Sequence, residues 1–212
     1  VQNILVSDHL MKMFEEKWNR KGYYIPNGID LKVFHPIKTN NKKKNSVLFI
    51  GNPYDKLKGF QFLLETLARL QSSLYRFDEI NLFVVWGGAK LNGEGSVKEA
   101  KGLKINYISG LTSAGIAKLI NEVSLVISTS WYEGFTLPVL EAMACGTPTI
   151  VTNNMGSESF CEHEINSFVI KHSDHKSLIN YIMDVLRNRI DLKLIIKNGF
   201  KTALEYSEYT SL

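Results

Sequence analysis

Two glutamates lie in a stretch of sequence whose residue types are typical of a ligand-binding loop that leads into a helix. The stretch runs from Ser128 to Pro148, with Glu133 followed by a glycine and Glu141 set in an apolar run. Pro138 suits the first turn of a helix, so Glu133 is predicted just before that helix and Glu141 about one turn inside it. Carboxylates only accept hydrogen bonds, and they suit the paired hydroxyls of a sugar or a ribose. The alternative is that neither glutamate binds a ligand, so that Glu133 is a surface turn residue and Glu141 a solvated helix residue.

The start of the same helix is predicted to bind an anion. Gly134 permits close approach of the backbone to a ligand, and the first N–H groups of a helix have no intrahelical acceptor. The helix dipole strengthens the attraction of these groups for negative charge. We therefore expect the backbone of residues 135–138 to form an anion site beside Glu133 and Glu141. Together they would hold a sugar diphosphate at both of its ends.

A lysine at the end of another predicted strand adds a positive charge. Lys58 follows the apolar run Ser46–Gly51 and precedes a helical pattern that begins at Gly59. In this position its ammonium group could project at a phosphate as a point charge. The alternative is a solvated loop lysine.

Short apolar runs alternate with helical patterns from residue 46 onward. Six strands are predicted, at Ser46–Gly51, Ile80–Trp86, Ile105–Ser109, Ser124–Ser128, Thr149–Thr152 and Ser167–Lys171. Five helices are predicted, at Gly59–Ser72, Ser113–Asn121, Leu137–Ala144, Asp174–Arg187 and Asp191–Tyr206. Earlier in the chain, His9–Trp18 is predicted to be a helix and Tyr23–Ile25 a short strand.

These patterns predict an α/β fold with a doubly wound parallel sheet. Nearly continuous apolar strands are typical of parallel sheets that helices cover on both faces. Strands that alternate with helices at these spacings indicate right-handed βαβ units. Ligands of such sheets bind beyond the carboxyl ends of the strands. The candidate site is therefore confined to the loops after Gly51, Trp86, Ser109 and Ser128.

Composition and charge exclude several classes of protein. The chain is 44% hydrophobic and 22% charged, which is ordinary for a globular protein, and its apolar runs are too short to span a membrane. The net charge of +4 comes partly from Lys38 and Lys42–Lys44, where no aromatic residue is interleaved, so nucleic-acid binding is disfavoured. Two cysteines without a CxxC pattern are expected to be free thiols in the cytosol.

Two further kinds of site are unsupported. Gly87-Gly88 follows a predicted strand but does not form the GxGxxG pattern, so a dinucleotide-dependent oxidoreductase lacks its fingerprint. The run from Cys161 to Glu164 has side chains that bind metals, but no second group of ligands stands at a suitable spacing. We expect no bound metal.

The chain resembles the large family of retaining glycosyltransferases known as group 1, whose members include bacterial glycogen synthase and sucrose synthase. Four segments match in order. They are Ile25-Pro-Asn-Gly-Ile-Asp30 with Phe34, Gly51 to Lys58-Gly59, the E-x7-E signature from Glu133 to Pro148, and Gly156-Ser-Glu158. The signature is highly specific, and the resemblance covers nearly the whole chain.

The resemblance implies the GT-B fold, in which two Rossmann-like domains face each other across a cleft. This chain corresponds to the C-terminal, donor half. We expect residues 1–40 to be a hinge-proximal segment leading into that half, and residues 41–212 to be the Rossmann-like domain that binds the nucleotide-sugar. The N-terminal acceptor domain is expected to be absent here, so that the fragment alone would transfer little sugar.

The resemblance also implies the reaction and its substrates. A sugar would pass, with retained anomeric configuration, from a UDP-, GDP- or ADP-sugar to an acceptor saccharide, a lipid or another hydroxyl compound. No metal and no other cofactor would be needed. The expected location is the cytoplasm or the inner face of a membrane, with peripheral membrane contact through the missing domain. The alternative is a non-catalytic nucleotide-binding or regulatory module.

By the same resemblance, Glu133 would contact the transferred sugar, Glu141 the ribose hydroxyls and Lys58 the diphosphate. Gly51, Asn52 and Gly134 would lie against the ligand. The remaining contacts are expected at the phosphate, through the amides of Phe135, Thr136 and Leu137, and at the nucleobase, through Tyr107, Ser109 and Leu111.

The chain departs from the family pattern at one position. Many members have an arginine directly after the glycine that matches Gly51, where it pairs with the lysine on the diphosphate, but here the residue is Asn52. Lys56 could supply a charge, although it lacks the bidentate fork of arginine. The affinity for diphosphate depends on how this loop is arranged.

Overall fold

The first elements of the chain form a small unit of their own. In the computed structural model, which describes residues 3–71, 80–87, 97–100 and 103–207, strands β1 (Ile4–Leu5) and β2 (Tyr23–Tyr24) pair in parallel. Helix α1 (Asp8–Trp18) connects them and buries none of its residues. Two-stranded sheets are marginal by themselves, so this unit depends on its neighbours for stability.

A seven-stranded sheet forms the centre of the structure. Its strands are β3 (Ser46–Ile50), β4 (Asn81–Trp86), β5 (Val97–Ala100), β6 (Leu103–Ser109), β7 (Leu125–Ser128), β8 (Thr149–Thr152) and β9 (Phe168–Ile170). All are parallel to their neighbours except β5, which pairs with β6 in the antiparallel sense. Each of the six parallel strands begins and ends within two residues of its predicted bounds.

The order of the strands is that of a Rossmann fold. Across the sheet they run β5-β6-β4-β3-β7-β8-β9. If the six parallel strands are numbered along the chain, this order reads 3-2-1-4-5-6, the arrangement of dinucleotide-binding domains. The prediction of a doubly wound parallel sheet is therefore confirmed. The antiparallel edge strand β5 was not predicted, because its sequence Val-Lys-Glu-Ala has no apolar run that would mark a strand.

Helices cover both faces of the sheet. They are α2 (Phe60–Gln71), α3 (Ser113–Glu122), α4 (Leu137–Ala144), α5 (His175–Leu186) and α6 (Lys193–Ser207). The hydrophobic residues that α2 and α5 bury belong to one cluster, and those that α3 and α4 bury belong to a second. Helix α6 crosses between the two, with Ile195 in the first cluster and Ala203 in the second.

Strand β3 shows why the strands are apolar throughout. Val47 and Phe49 point into the cluster of α2 and α5, whereas Leu48, between them, points into the cluster of α3 and α4. All three are at most 2% exposed. Each contributes about 1.5–3 kcal/mol of transfer free energy when it is fully buried. The burial of both faces fixes the position of the loops that follow the strands.

The chain enters this sheet through residues that pack on the second cluster. Ile29 and Phe34 are buried there, and the N–H of Ile29 donates to the carbonyl of Tyr206 at the end of α6. Residues from Ile29 onward thus belong to the large domain. Across the described ranges, no helix is both long enough and apolar enough to span a bilayer. Gly88, singled out in the sequence, lies outside the described residues.

Candidate functional site

The loops after β3 and β7 meet at the point where the strand order reverses. These strands are neighbours, but the chain continues from β3 to β4 on one side and from β7 to β8 on the other. The loops are bonded to each other, because Thr129 Oγ1 donates to the carbonyls of Lys58 and Gly59, and the N–H of Trp131 donates to the carbonyl of Leu57. Such a reversal leaves a crevice at the carboxyl edge of the sheet, where ligands bind.

Close contact between the two loops requires a glycine. Gly59 has φ +66°, and a Cβ atom there would lie 2.0 Å from the carbonyl oxygen of Thr129. No side chain fits that space. Gly59 ends the single 3-10 turn Lys56–Lys58 and so sets the direction of the Lys58 side chain.

Lys58 and Glu133 form an ion pair within this crevice. Lys58 Nζ lies 2.6 Å from Glu133 Oε1, and Ser130 Oγ donates to the same oxygen at 2.8 Å. The two side chains are 32% and 17% exposed, so water still reaches them. The stem of Lys58 lies along Gly51, where an added Cβ would stand 3.6 Å from Lys58 Cδ. The structure therefore brings together Gly51, Lys58 and Glu133.

The start of α4 supplies backbone donors beside this pair. Within the described ranges, the N–H groups of Gly134, Phe135 and Thr136 have no hydrogen-bond acceptor. The sequence had indicated residues 135–138 as the donors. Pro138 has no N–H, and the N–H of Leu137 donates to the carbonyl of Phe135 at 3.2 Å. The available donors therefore lie one residue earlier, at 134–136, and Leu137 is not one of them.

A buried asparagine fixes this loop in place. Asn154, fully buried, follows β8, and its Oδ1 accepts from Thr136 Oγ1 at 3.1 Å. Its carbonyl accepts from the N–H of Glu133 at 3.1 Å. At Gly156 a Cβ atom would stand 2.6 Å from the carbonyl oxygen of Glu133, so only glycine allows this approach. The backbone of residues 133–136 is therefore held rigidly before a ligand arrives.

Glu141 lies on α4, about one helical turn beyond these donors. It is partly buried, and burial raises the pKa of its carboxyl to about 7. Among the described residues, none donates a hydrogen bond to the Glu141 carboxylate, although its backbone carbonyl accepts from the N–H of Cys145. Burial, and then the charge of Glu141, raise the pKa of the neighbouring Cys145 thiol to about 12. A partly buried carboxylate without a donor is suited to bind the hydroxyls of a ligand.

The residues predicted at the nucleobase lie at the end of β6, which two strands, β4 and β3, separate from β7. Tyr107 packs against the cluster of α2 and α5, and Leu111 packs against that of α3 and α4, so the two approach opposite faces of the sheet. Ser109 is aligned with Trp86 of the adjacent strand. The structure therefore brings these residues to the same edge as Lys58 but not into contact with the ion pair.

Asn52 shapes its loop. Its Oδ1 accepts a hydrogen bond from the N–H of Tyr54 at 3.0 Å, as a turn-forming asparagine does. It cannot replace the charge of an arginine. Lys58 is the lysine of this loop that reaches the crevice, whereas Lys56 lines a separate cavity on the other side of the 3-10 turn.

Comparison with known proteins establishes the family. Residues 32–202 match the family model described as "Glycosyl transferases group 1". The chain belongs to this glycosyltransferase family. It is 26% identical to the MMP α-(1→4)-mannosyltransferase of Mycolicibacterium hassiacum, with 90% of this chain and 46% of that protein covered. It is 25% identical to the UDP-Gal:α-D-GlcNAc-diphosphoundecaprenol α-1,3-galactosyltransferase of Escherichia coli, with 82% and 47% covered. The chain spans about half the length of these relatives.

Solved structures of glycosyltransferases share the fold. HepE of Anabaena, in complex with UDP-glucose, has a TM-score of 0.79 at 21% identity, with 99% of this chain and 60% of that chain covered. Sucrose-phosphate synthase of Thermosynechococcus elongatus has a TM-score of 0.76 at 20% identity, with 98% and 54% covered. At these identities the likeness shows the Rossmann-like fold of the GT-B enzymes and no more.

Within the described ranges, no group of three or more histidine, cysteine, aspartate or glutamate side chains is placed to hold a metal ion. In the run from Cys161 to Glu164, His163 Nδ1 instead accepts from the N–H of Val169, and Nε2 lies 3.2 Å from the hydroxyl of Tyr181. These contacts give His163 a structural role.

Sequence reasoning missed two residues of the site. Ser130, which is 3% exposed, holds Glu133, and Asn154 holds the loop that contains Glu133. Both follow a strand at the carboxyl edge of the sheet, and that position was the available signal. Neither residue type is distinctive enough alone, because serine and asparagine are common in loops of every kind.

Proposed function

We propose that this chain is the donor-binding domain of a glycosyltransferase that uses a nucleoside-diphosphate sugar and retains its anomeric configuration. The observation that carries the proposal is the placement of Lys58 and Glu133 together at the reversal of strand order. A cation for phosphate and a carboxylate for sugar hydroxyls stand there beside backbone donors. Retention is taken from the resemblance to the family.

The geometry supports one way for the ligand to lie. The diphosphate would bind the N–H groups of residues 134–136 and the ammonium group of Lys58, and the ribose would bind Glu141. Glu141 is five residues beyond Thr136, which corresponds to about 7.5 Å along a helix. The transferred sugar would then extend toward Glu133, on the other side of the phosphates from the ribose.

The reaction would break the bond between the anomeric carbon and the diphosphate oxygen. Positive charge develops on the sugar and negative charge on the departing diphosphate, as in glycosyl cleavage generally. Lys58 and the backbone donors at the start of α4 would stabilise the negative charge of the diphosphate more in the transition state than in the ground state. This difference accelerates the reaction. These fixed donors would balance the diphosphate charge, and we propose that no metal is required.

The acceptor would bind opposite this site, on a second domain. The unit formed by β1, α1 and β2 already reaches the edge of the crevice, because a Cβ on Gly134 would lie 3.6 Å from Leu10 Cδ1. The chain spans about half of its relatives. We therefore propose that the acceptor is a saccharide, a lipid or another hydroxyl compound held by that domain, and that the fragment alone transfers little sugar.

The free thiols Cys145 and Cys161 support a cytoplasmic location.

A non-catalytic nucleotide-binding module is the second candidate. It is favoured by Asn52, whose side chain is engaged in a turn where many family members have an arginine. Sugar transfer by the full-length protein would exclude it, whereas nucleotide binding without transfer would support it.

Calorimetric titration of this chain with UDP, GDP and ADP tests the proposal. We expect at least one of them to bind, and binding of the diphosphate to exceed that of the corresponding nucleoside. The absence of binding by all three, both for this chain and for the full-length protein, would contradict it. Full-length protein incubated with the matching nucleotide-sugars then decides between transfer and binding alone.

A further inference from the structure

A cavity of about 310 Å³ lies on the far side of the loop that carries Lys58. Four segments line it: the loop after β3, the first turns of α2, Trp131 from the loop after β7, and the residues around the start of α5. None of the residues of the Lys58–Glu133 pair lines it. Lys56 and Trp131 do, although each is only two positions from a member of the pair. The 3-10 turn is therefore a wall shared by two separate spaces.

An aromatic platform forms part of this cavity. Trp131 is 46% exposed, and its indole ring stacks on His172 with a centroid distance of 4.6 Å and an interplanar angle of 9°. Stacking fixes the orientation of a large ring whose apolar surface remains in contact with water. Exposed aromatic rings held in one orientation are typical of ligand-binding surfaces. The C–H groups on one face of a pyranose ring pack against such a surface.

Polar side chains share the cavity with the platform. Asp55, Lys56, Gln61 and Glu65 line the cavity, and Gln61 Nε2 donates to Glu65 Oε1 at 2.7 Å. Carboxylate, amide and ammonium groups at the edge of an aromatic ring can each bond a hydroxyl of a neutral polyol.

The charges around the cavity balance. Two carboxylates, Asp55 and Glu65, face the ammonium group of Lys56, and the positive charge of Arg69 acts on the cavity residue His175. Burial, and then the charge of Arg69, lowers the pKa of His175, so its imidazole adds no positive charge at pH 7. A ligand with many hydroxyls and no charge fits a lining that has no excess of either sign.

We propose that this cavity binds a neutral pyranose unit of a saccharide, at a site separate from that of the nucleotide. Its volume is near the lower end of small-molecule pockets, which measure about 300–1,000 Å³, and this favours a single sugar ring. The site would hold one residue of a glycan against the back of the Lys58 loop. It does not depend on nucleotide binding at the ion pair.

Saturation-transfer NMR on this chain tests the proposal, with the methyl α-pyranosides of glucose, mannose, galactose and N-acetylglucosamine as probes. We expect at least one of them to bind with a Kd of about 1–10 mM, as is ordinary for a single ring with few contacts. The absence of binding by all four at about 50 mM would overturn the proposal.

Variants then locate the site. Trp131→Ala should weaken binding about tenfold, because it removes the stacking surface, and Trp131→Phe should restore part of it. Gln61→Ala, on α2, should also weaken binding. Trp18→Ala is the matched control, since Trp18 is similarly exposed, at 52%, but lies on α1. Equal affinity in the Trp131→Ala, Gln61→Ala and Trp18→Ala variants would overturn the assignment to this cavity.

The nucleotide site is separated from this one by a further comparison. Lys58→Met should leave glycoside binding unchanged, because Lys58 faces the other side of the turn. Saturating UDP should not displace the glycoside. Loss of glycoside binding in Lys58→Met, or displacement by UDP, would place the sugar in the donor site and overturn the proposal. Glycoside binding that persists in a chain that binds no nucleotide would support it while contradicting the proposed function.

Discussion

Lys58 Nζ and Glu133 Oε1 lie 2.6 Å apart, although the residues are 75 positions apart in the sequence. The contact joins the loops of the two strands at which the order of the sheet reverses. The lysine that we assign to the diphosphate is thus held by the carboxylate that we assign to the sugar. The pair orients both groups before binding, and a diphosphate must share the ammonium group with Glu133.

Replacement of Lys58 should affect phosphate binding selectively. Lys58→Met is expected to weaken the binding of the preferred nucleoside diphosphate by about 1.5–3 kcal/mol, the range for hydrogen bonds to charged groups. The corresponding nucleoside should lose far less, because it has no phosphate. Lys56→Met is the matched control, since Lys56 is in the same 3-10 turn but lines the other cavity. Equal losses for nucleotide and nucleoside in calorimetry would show that Lys58 does not contact the phosphates.

The contact between the two loops should fail when Gly59 is replaced. Gly59→Ala introduces a methyl group at 2.0 Å from the carbonyl oxygen of Thr129, in a backbone conformation with φ +66°. We expect a loss of about 2–4 kcal/mol in the free energy of unfolding. Gly110→Ala is the control, because Gly110 has φ +73° but open space around it, and should cost about 1 kcal/mol. Urea unfolding of both variants measures the difference. Similar losses would mean that the clash is relieved without cost.

Ser130 should act through Glu133. Its hydroxyl donates to Glu133 Oε1 at 2.8 Å, so Ser130→Ala removes a contact that orients the carboxylate together with Lys58. We expect turnover of the full-length enzyme to fall about tenfold, the loss of roughly one hydrogen bond to a charged group, while the affinity for free nucleoside diphosphate stays the same. Ser130→Thr, which keeps a hydroxyl, should restore part of the turnover. A parallel loss of nucleotide affinity and turnover would indicate a general disturbance of the loop.

The parallel sheet was predictable because a strand that is buried on both faces must lack charged residues along its whole length. Every residue of β8, for example, is buried, and its sequence, Thr-Ile-Val-Thr, has no charged residue. The start of α4 was predictable from Pro138, which fits the first turn of a helix. In both cases the signal lies within a few consecutive residues.

The arrangement of the site could not be predicted in the same way. The ion pair of Lys58 and Glu133 depends on which strands are neighbours, and strand order is a property of the whole sheet. The donors at residues 134–136 depend on a turn in which the carbonyl of Phe135 accepts from the N–H of Leu137. The role of Asn154 depends on contact between the ends of β7 and β8. The spacing of residues along the sequence does not reveal these contacts, because each depends on the tertiary structure.

The affinity for nucleotide should depend on pH through Glu141. Burial raises the pKa of this carboxyl from 4.5 to about 7, and only its ionised form accepts hydrogen bonds from both ribose hydroxyls. Affinity should therefore rise as the pH increases through 7 and level off above it. In Glu141→Gln the dependence should be absent. Calorimetry between pH 6 and pH 8.5, in buffers matched for ionic strength, measures it, and an unchanged slope in Glu141→Gln would assign the dependence to another group.

The same group affects the stability of the ligand-free domain in the opposite direction. Because the folded pKa is raised, the folded state holds a proton that the unfolded state has already lost between pH 4.5 and 7. Stability from this group is fully present below pH 4.5 and is lost as the pH rises through 7. Glu141→Gln should therefore unfold at higher urea concentration than the unmodified chain at pH 8, while it binds nucleotide less tightly. A variant that lost both stability and affinity would contradict the burial of an unpartnered carboxylate.

Replacement of Glu133 and of Glu141 by glutamine should have different effects on binding and turnover, because the two side chains face different ends of one ligand. Glu141→Gln should weaken the free nucleoside diphosphate and the nucleotide-sugar alike, since both contain the ribose. Glu133→Gln should strengthen binding of the free diphosphate about threefold, because removal of a partly exposed ion pair worth roughly 0.5–1 kcal/mol releases Lys58. It should nevertheless reduce turnover of the full-length enzyme, with a larger effect on kcat than on KM if the contact tightens as the glycosyl cation develops. Calorimetry and initial rates on both variants decide the matter. If Glu133→Gln and Glu141→Gln changed nucleotide affinity and turnover in the same way, the two glutamates would not bind different ends of the ligand.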